Sequence, residues 1–446
     1  MNRQYILRQI REAGVIGAGG AGFPAYKKLD ATVEHIIANG AECEPLLYKD
    51  REVMLQNQER LFHGLSVMRE LTGAQKVTIA IKRKNSDVAK ALKAKANAYG
   101  FDLFIMEDVY PAGDEYILVY DIARRRILPG GIPLQVGVLV DNVETIVNIS
   151  LAVEGKSVVE KYLTISGAVN DAMTVAVPVG TSFSDCIGIA RGLTIPNPLV
   201  FTGGVMMGGM EHDLSLPVSK TNGAVIILPD DHPLAQRKGA SKQQYTRIGH
   251  GACDQCSLCT ELCPRYILGY PIEPHRVMRS LMMTGSDKDR LSLWATYCCE
   301  CNVCSLFACP EKLDPKSICV DAKKRVREQN ITRTSKEIDT LFREVHSARD
   351  GRQIPIAMLY QRLGLKQYDR HAHYKKIDAH PESVTIPLNS HIGTPATPTV
   401  QVGSMVKRGD LIGSVPEEKL GCPVHASIDG VVTEIGERSI TIKNVK

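Results

Sequence analysis

The chain has 446 residues, 44% of them hydrophobic and 23% charged, enough for several domains that each bury a core. Its net charge of +5 is scattered over short clusters such as Lys82-Arg83-Lys84, Arg124-Arg125-Arg126 and Lys323-Lys324-Arg325, and only 5% of residues are aromatic. No aromatic residues interleave with the basic runs, which argues against a nucleic-acid partner, and no uncharged apolar run reaches the roughly 18 residues that a membrane span needs.

In chain order, MNRQYILRQIREAG sets Ile6, Leu7 and Ile10 on one helical face. It lacks the apolar centre of a leader, so a cytoplasmic location is expected. Packing within the first domain, rather than service as a free encapsulation peptide, is the expectation for this helix. It runs into GVIGAGGAGFP, residues 14–24, where five of eleven residues are glycine. Alone, that loop specifies only a tight turn. Strands are expected at Val33–Ala38, Lys76–Ile81 and Phe101–Met106, with a helix over 86–98. Such alternation indicates an α/β layer with a mainly parallel sheet. Residues 162–187 alternate apolar and polar positions around a Gly-Ala-Val turn.

Thirteen cysteines follow a pattern of their own, ten of them lying between Cys253 and Cys319. In a reducing compartment such clustering points to metal rather than disulfides. The first run, Cys253-x2-Cys256-x2-Cys259-x3-Cys263-Pro264, has the bacterial ferredoxin spacing for a [4Fe–4S] cluster. The second is Cys298-x2-Cys301-x2-Cys304-x4-Cys309-Pro310, one residue longer in its last gap. Zinc sites pair their cysteines in twos or with histidines, whereas here a third cysteine follows at the same interval, twice. In two-cluster ferredoxins the fourth cysteine of each run ligates the other cluster. Cys253, Cys256, Cys259 and Cys309 are therefore assigned to one cluster, and Cys298, Cys301, Cys304 and Cys263 to the other. Cys299 competes for the second run, but the Cys298 register restores the two-residue gap. Cys43, Cys186, Cys319 and Cys422 read as small buried residues.

Residues 331–380 are charged, rich in histidine (His346, His371, His373, His380) and weakly helical in period, which suggests a helical connector. His371-x-His373 reads as a solvated segment, because no cysteine or acidic partner is spaced for it. From about 383, short strands punctuated by glycine suggest a barrel-sandwich hybrid. Carriers of that fold present a lysine at a hairpin tip, and His425-Ala-Ser-Ile-Asp429 has none.

GAGGAGFP, NGAECEP with YKDRE, AGDEYIL and DNVETIVNI occur in an order that resembles the flavin- and NADH-binding subunit of respiratory complex I. The order resembles still more closely the C subunit of the membrane-bound ferredoxin:NAD oxidoreductase, as do GGVMMGG at 203–209, PVSKTNGAVIIL at 217–228 and the doubled ferredoxin motif. In that protein the barrel-sandwich module comes first. The permuted order found here resembles the cobalamin reductase family of bacterial propanediol-utilisation microcompartments.

The resemblance implies a multidomain α/β and α+β fold. Residues 1–155 would form the FMN- and NADH-binding α/β domain and 156–235 a β-grasp domain, as a ligand site or a spacer. Residues 240–345 would form an α-helical ferredoxin domain with two [4Fe–4S] clusters, 346–382 a connector and 383–446 the barrel-sandwich hybrid. It places the FMN cradle on Gly17, Gly19, Gly20 and Gly22, with Lys28 near the phosphate. Asn39, Glu42 and Glu44 would lie beside the isoalloxazine and nicotinamide, with Glu42, Glu44 and Phe23 as the catalytic set. Phe23 would either stack on a cofactor ring or belong to the core. Gly113, Asp114 and Glu115 match a second cofactor-binding element, and Asn142 and Thr145 a third. Ala18, Ala41 and Asp141 stand where complex I has Arg, Asp and Asn, and Asp141 is expected to point away from the flavin phosphate.

The implied activity is NADH-dependent reduction of cob(III)alamin to cob(II)alamin, and onward to cob(I)alamin. The alternative is the electron-input subunit of a membrane NADH:ferredoxin or NADH:quinone complex. Asp230-Asp231-His232-Pro-Leu-Ala235 lacks the glycine of the cobalamin-ligating Asp-x-His-x-x-Gly pattern and is not expected to bind cobalt. A corrinoid adenosyltransferase and microcompartment shell proteins or enzymes are the implied partners, within a bacterial microcompartment.

Overall fold

The structure is a computed structural model and describes residues 2–445. Strands β1 (His35–Gly40), β2 (Lys76–Lys82), β3 (Asp102–Met106) and β4 (Val138–Asn142) form a parallel sheet in the order β3-β2-β1-β4. Both faces of β1 are covered. Ile36 and Ala38 join one core with Leu61, Phe62, Leu65 and Val143, while Ile37 joins another with Ala80, Leu118 and Val138. This explains the unbroken apolar run in the sequence, since a strand buried on both faces cannot alternate. Ile6, Leu7 and Ile10 of α1 (Arg3–Glu12) are buried in the first of these cores. The strand order reverses between β1 and β4, and in open α/β sheets the crevice at the carboxyl ends there is where ligands bind.

A second, five-stranded sheet holds β5 (Glu160–Gly167), β6 (Met173–Pro178), β7 (Pro198–Thr202), β8 (Gly209–Glu211) and β9 (Ala224–Pro229), in the order β6-β5-β9-β7-β8. Only β5 and β9 are parallel. The helix Phe183–Ile189, capped by Ser182, covers one face through Phe183, Cys186 and Ile187. The cysteine-rich segment is helical, with Val277, Met278, Ile318, Cys319 and Ala322 in its core.

The connector departs from the helical expectation. After the helices Ser335–Leu341 and Ile356–Arg362, residues 370–375 run extended beside β6. Thr174 N–H donates to His373 O (3.0 Å), Lys375 N–H to Thr174 O (2.9 Å), and the Arg370 guanidinium to Gly167 O (2.8 Å). The open edge of β6 outweighs a weak helical period.

The C-terminal unit packs a four-stranded sheet (Ser383–Pro387, Met405–Val406, Gly430–Ile435, Ser439–Lys443) on a three-stranded one (Thr397–Pro398, Leu411–Ser414, Val424–His425). Val384, Ile386, Ile412, Val424, Val432, Ile440 and Ile442 fill the space between them. This unit folds back onto the N-terminus. Ile392 N–H donates to Gly22 O (3.0 Å), and Arg11 donates to Val415 O (2.9 Å) and Pro416 O (2.8 Å). No helix among the described residues is long and apolar enough to cross a membrane.

Candidate functional site

The glycine loop closes on itself through Gly17 N–H to Phe23 O (2.9 Å) and Gly22 N–H to Gly17 O (3.3 Å). Buried Thr145 accepts the Ala18 N–H at 2.9 Å, and Lys161 Nζ donates to Ala18 O at 3.0 Å. These contacts fix the base of the loop. Its exposed tip, Gly19, Gly20 and Ala21, has N–H groups with no acceptor among the described residues. Free donors on a tip of small residues suit a phosphate, so the residues present fit an FMN phosphate.

Around the loop, the carboxyl ends of β1 and β4 supply polar groups. Asn39 accepts the Ala41 N–H (3.1 Å) and donates to Gly113 O (3.1 Å), joining two of the elements expected at the flavin. Asn142 caps the helix Val143–Val153 at Glu144 N–H (3.0 Å) and donates to Asp50 (3.0 Å). Buried Glu144 holds Lys161 (2.6 Å) and Lys49 (2.9 Å); those two cations keep it below its ordinary range despite the burial that opposes its charge. Glu42 is buried and accepts the Asp50 N–H (2.9 Å); burial first, then the neighbouring Asp50 carboxylate, push it up to about 7.

Three expected cofactor residues have other engagements. Lys28 is held by Glu115 (3.1 Å), Asp141 (3.5 Å) and Val140 O. Asp141 thus points at Lys28, with its Oδ2 buried and unpartnered. Asp114 caps the helix Glu115–Leu118 and pairs with Arg265 at 2.7 Å, so its carboxylate turns toward the cysteine-rich segment. Phe23 is half-buried and belongs to none of the apolar cores among the described residues.

Glu44 binds the GGVMMGG loop, accepting the N–H groups of Met206 and Met207, each at 2.8 Å. Gly204 makes this approach possible: its φ is +152° and a Cβ there would lie 2.5 Å from the Glu44 carboxyl carbon. The same loop reaches the second cysteine run, where Asn302 Nδ2 donates to Met206 O at 3.0 Å. Tyr110 Oη donates to Cys301 O at 2.7 Å. Arg265, two residues after Cys263, stacks 3.4 Å above the Tyr116 ring while it holds Asp114.

The two cysteine runs repeat one backbone pattern. Gln255 and Ser257 have φ of +57° and +64°; Glu300 and Asn302 have +60° and +67°. Cys263 and Cys309 share φ −71° and ψ 119°, each just before its proline. The extra residue in the second run is absorbed by a π-helical turn, Cys304–Ala308. The register therefore matches Cys253 with Cys298. Cys253, Cys256, Cys259 and Cys309 line one cavity; burial and then Cys253, Cys309 and Cys256 raise the Cys259 thiol, while burial and then Cys299 and Cys298 raise Cys263. N–H donors reach Cys298 (3.4 Å, from Glu300) and Cys309 (3.3 Å, from Leu313). Two groups of convergent thiols with N–H donors fit iron–sulfur clusters. Cys299 also lies against Cys263 and Cys301, and Cys319 against Cys298.

Lys49, Asp50, Tyr110, Glu144, Lys161, Arg265 and Asn302 carry no individual mark as site residues in the sequence. YKDRE and DNVET contain three of them, so motif membership is the available signal there. Lys161 occupies an ordinary alternating strand and has no such signal.

Comparison with known proteins agrees with this arrangement. The family model "Nuo51 FMN-binding domain" matches residues 10–151, "4Fe-4S dicluster domain" residues 252–314, and "RnfC Barrel sandwich hybrid domain" residues 364–445. The cobalamin reductase PduS of Salmonella typhimurium is 40% identical over 443 residues, covering 99% of this chain and 97% of the relative. PduS of Citrobacter freundii is 40% identical over 440 residues, covering 98% and 96%. The C subunit of the proton-translocating ferredoxin:NAD(+) oxidoreductase of Clostridium ljungdahlii is 31% identical, over 59% of this chain and 56% of that one. With its flavin-domain sheet, doubled cysteine module and terminal barrel sandwich in this order, the chain belongs to the cobalamin reductase PduS family.

Proposed function

We propose that the chain is an NADH-dependent flavin and iron–sulfur oxidoreductase that reduces cob(III)alamin to cob(II)alamin. FMN, when bound, exchanges electrons in pairs with a nicotinamide and singly with clusters. The chain's own residues arrange that exchange. Glycine-loop donors and the Thr145 anchor hold the phosphate end, Phe23 covers a ring, and buried Glu42 keeps a proton close to neutral pH. The observation that carries the reading is the bridge from the cleft to the second cysteine group, through Glu44–Met206–Asn302, Tyr110–Cys301 and Asp114–Arg265. That group adjoins the cleft, whereas the first has Cys256 exposed to solvent. Cys263, Cys298, Cys301 and Cys304 would hold the cluster on the cleft side, and Cys253, Cys256, Cys259 and Cys309 the one nearer solvent, each of which would supply one-electron transfer. The corrinoid would be met at that exposed end, with a corrinoid adenosyltransferase as recipient inside a microcompartment. The relatives' name supports the choice of acceptor.

The test is anaerobic NADH-dependent reduction of hydroxocobalamin by the purified chain. Activity is expected in the parent and lost in Cys301→Ser, while transfer from NADH to a small acceptor that reacts at the flavin persists. Corrinoid reduction that appears only when membrane subunits are added would assign the electron-input role instead.

A further inference from the structure

Glu52 lies on the helix Lys49–Gln56, just after the turn that carries Glu42 and Glu44. Its side chain is 3% exposed. One carboxylate oxygen, Oε2, accepts the Tyr374 N–H at 3.1 Å; the other, Oε1, meets the Arg51 guanidinium and faces His371 Nε2 at 3.6 Å. His371 and His373 belong to the extended segment beside β6. Alternation puts both rings on one side and buries Ala372 on the other. The rings lie 4.0 Å apart between centroids, and the ligand atoms of Glu52, His371 and His373 all fall within 4.8 Å of one another.

A separation of 3.6 Å is too long for a hydrogen bond. It is close to the edge of a tetrahedron of nitrogen and oxygen ligands around zinc, about 3.3 Å for metal–ligand bonds of about 2.0–2.2 Å. A carboxylate accepts at about four lone-pair positions; here Arg51 and Tyr374 N–H each take one. Two imidazoles and a carboxylate make a donor set suited to zinc and its first-row neighbours, and both histidines are exposed, so an ion has an entry path.

We propose that Glu52, His371 and His373 form a binding site for a divalent transition ion of the zinc class, which fastens residues 370–375 to the helix behind the flavin turn. The site stands apart from both cysteine groups and does not depend on the redox reading.

Iron-replete, full-length protein is loaded with Zn2+, desalted and counted for zinc and iron, and its zinc neighbours are measured by X-ray absorption. The His371→Ala/His373→Ala double variant should keep the parent's iron and hold about one zinc fewer per chain. The zinc it loses should have nitrogen and oxygen neighbours at about 2.0–2.2 Å. His373→Ala alone, at an exposed position, should give the same loss. Equal zinc in parent and variants, or zinc bound only to sulfur at about 2.3 Å in all of them, overturns the proposal.

Discussion

Glu42 is 4% exposed, with the Asp50 N–H on its carboxylate and the Asp50 side chain close by, and these surroundings raise its pKa from an ordinary 4.5 to about 7. A raised carboxyl favours the neutral form in the folded state. Its contribution to stability is therefore fully present below pH 4.5 and is lost as pH rises through about 7. In flavin-free protein the unfolding free energy should fall between about pH 4.5 and 7, by on the order of 3 kcal/mol, and Glu42→Gln should flatten that slope. A slope unchanged by Glu42→Gln would show that other groups set it. Gly204 tests the neighbouring contact. Gly204→Ala forces a Cβ to within 2.5 Å of the Glu44 carboxyl carbon and should cost about 1–3 kcal/mol in thermal or urea unfolding. It should also weaken flavin retention, because Glu44 then loses the Met206 and Met207 N–H groups.

At the scale of elements, the π-helical turn Cys304–Ala308 lets an irregular spacing deliver Cys309 in the same backbone conformation as Cys263. Crossed ligation then makes a spectroscopic prediction. Cys309→Ser and Cys253→Ser should perturb one and the same reduced-cluster EPR signal, and Cys263→Ser and Cys298→Ser the other. Pairing by run, with Cys309 grouped with Cys298, is the contrary result. The cysteine runs are legible in the sequence because their ligands are neighbours in the chain and iron–sulfur chemistry fixes the intervals. Three of the sheet's four strands are legible from their apolar runs, with β1 shifted from Val33–Ala38 to His35–Gly40, whereas β4 runs into a stretch read only as a motif, DNVETIVNI. The motif around Asp114 cannot tell that Arg265, far along the chain, pairs with its carboxylate. For the same reason His371-x-His373 shows no acidic partner in the sequence. Glu52 is brought to it only when the connector joins the edge of β6.

Across the whole molecule, the C-terminal barrel sandwich seals one side of the glycine loop. Gly22, at φ +67°, sits so close to its neighbours that an added Cβ would lie 2.9 Å from Ser390 O of this unit and 3.0 Å from Thr221 Cγ2, in the loop before β9. Gly22→Ala should therefore loosen both the loop and the docked turn, read as flavin loss together with faster proteolysis near residues 388–395. Flavin loss with an unchanged cleavage rate would separate the two units. The account as a whole needs a chain that takes electrons from NADH at the cleft and passes them through both cysteine groups. An anaerobic NADH titration followed by visible and EPR spectra tests this most directly. About one flavin and about eight irons per chain, flavin bleaching, and reduction of two distinct cluster signals are the predicted result. Clusters that dithionite reduces but NADH leaves oxidised, or an iron content below about four per chain, would contradict it.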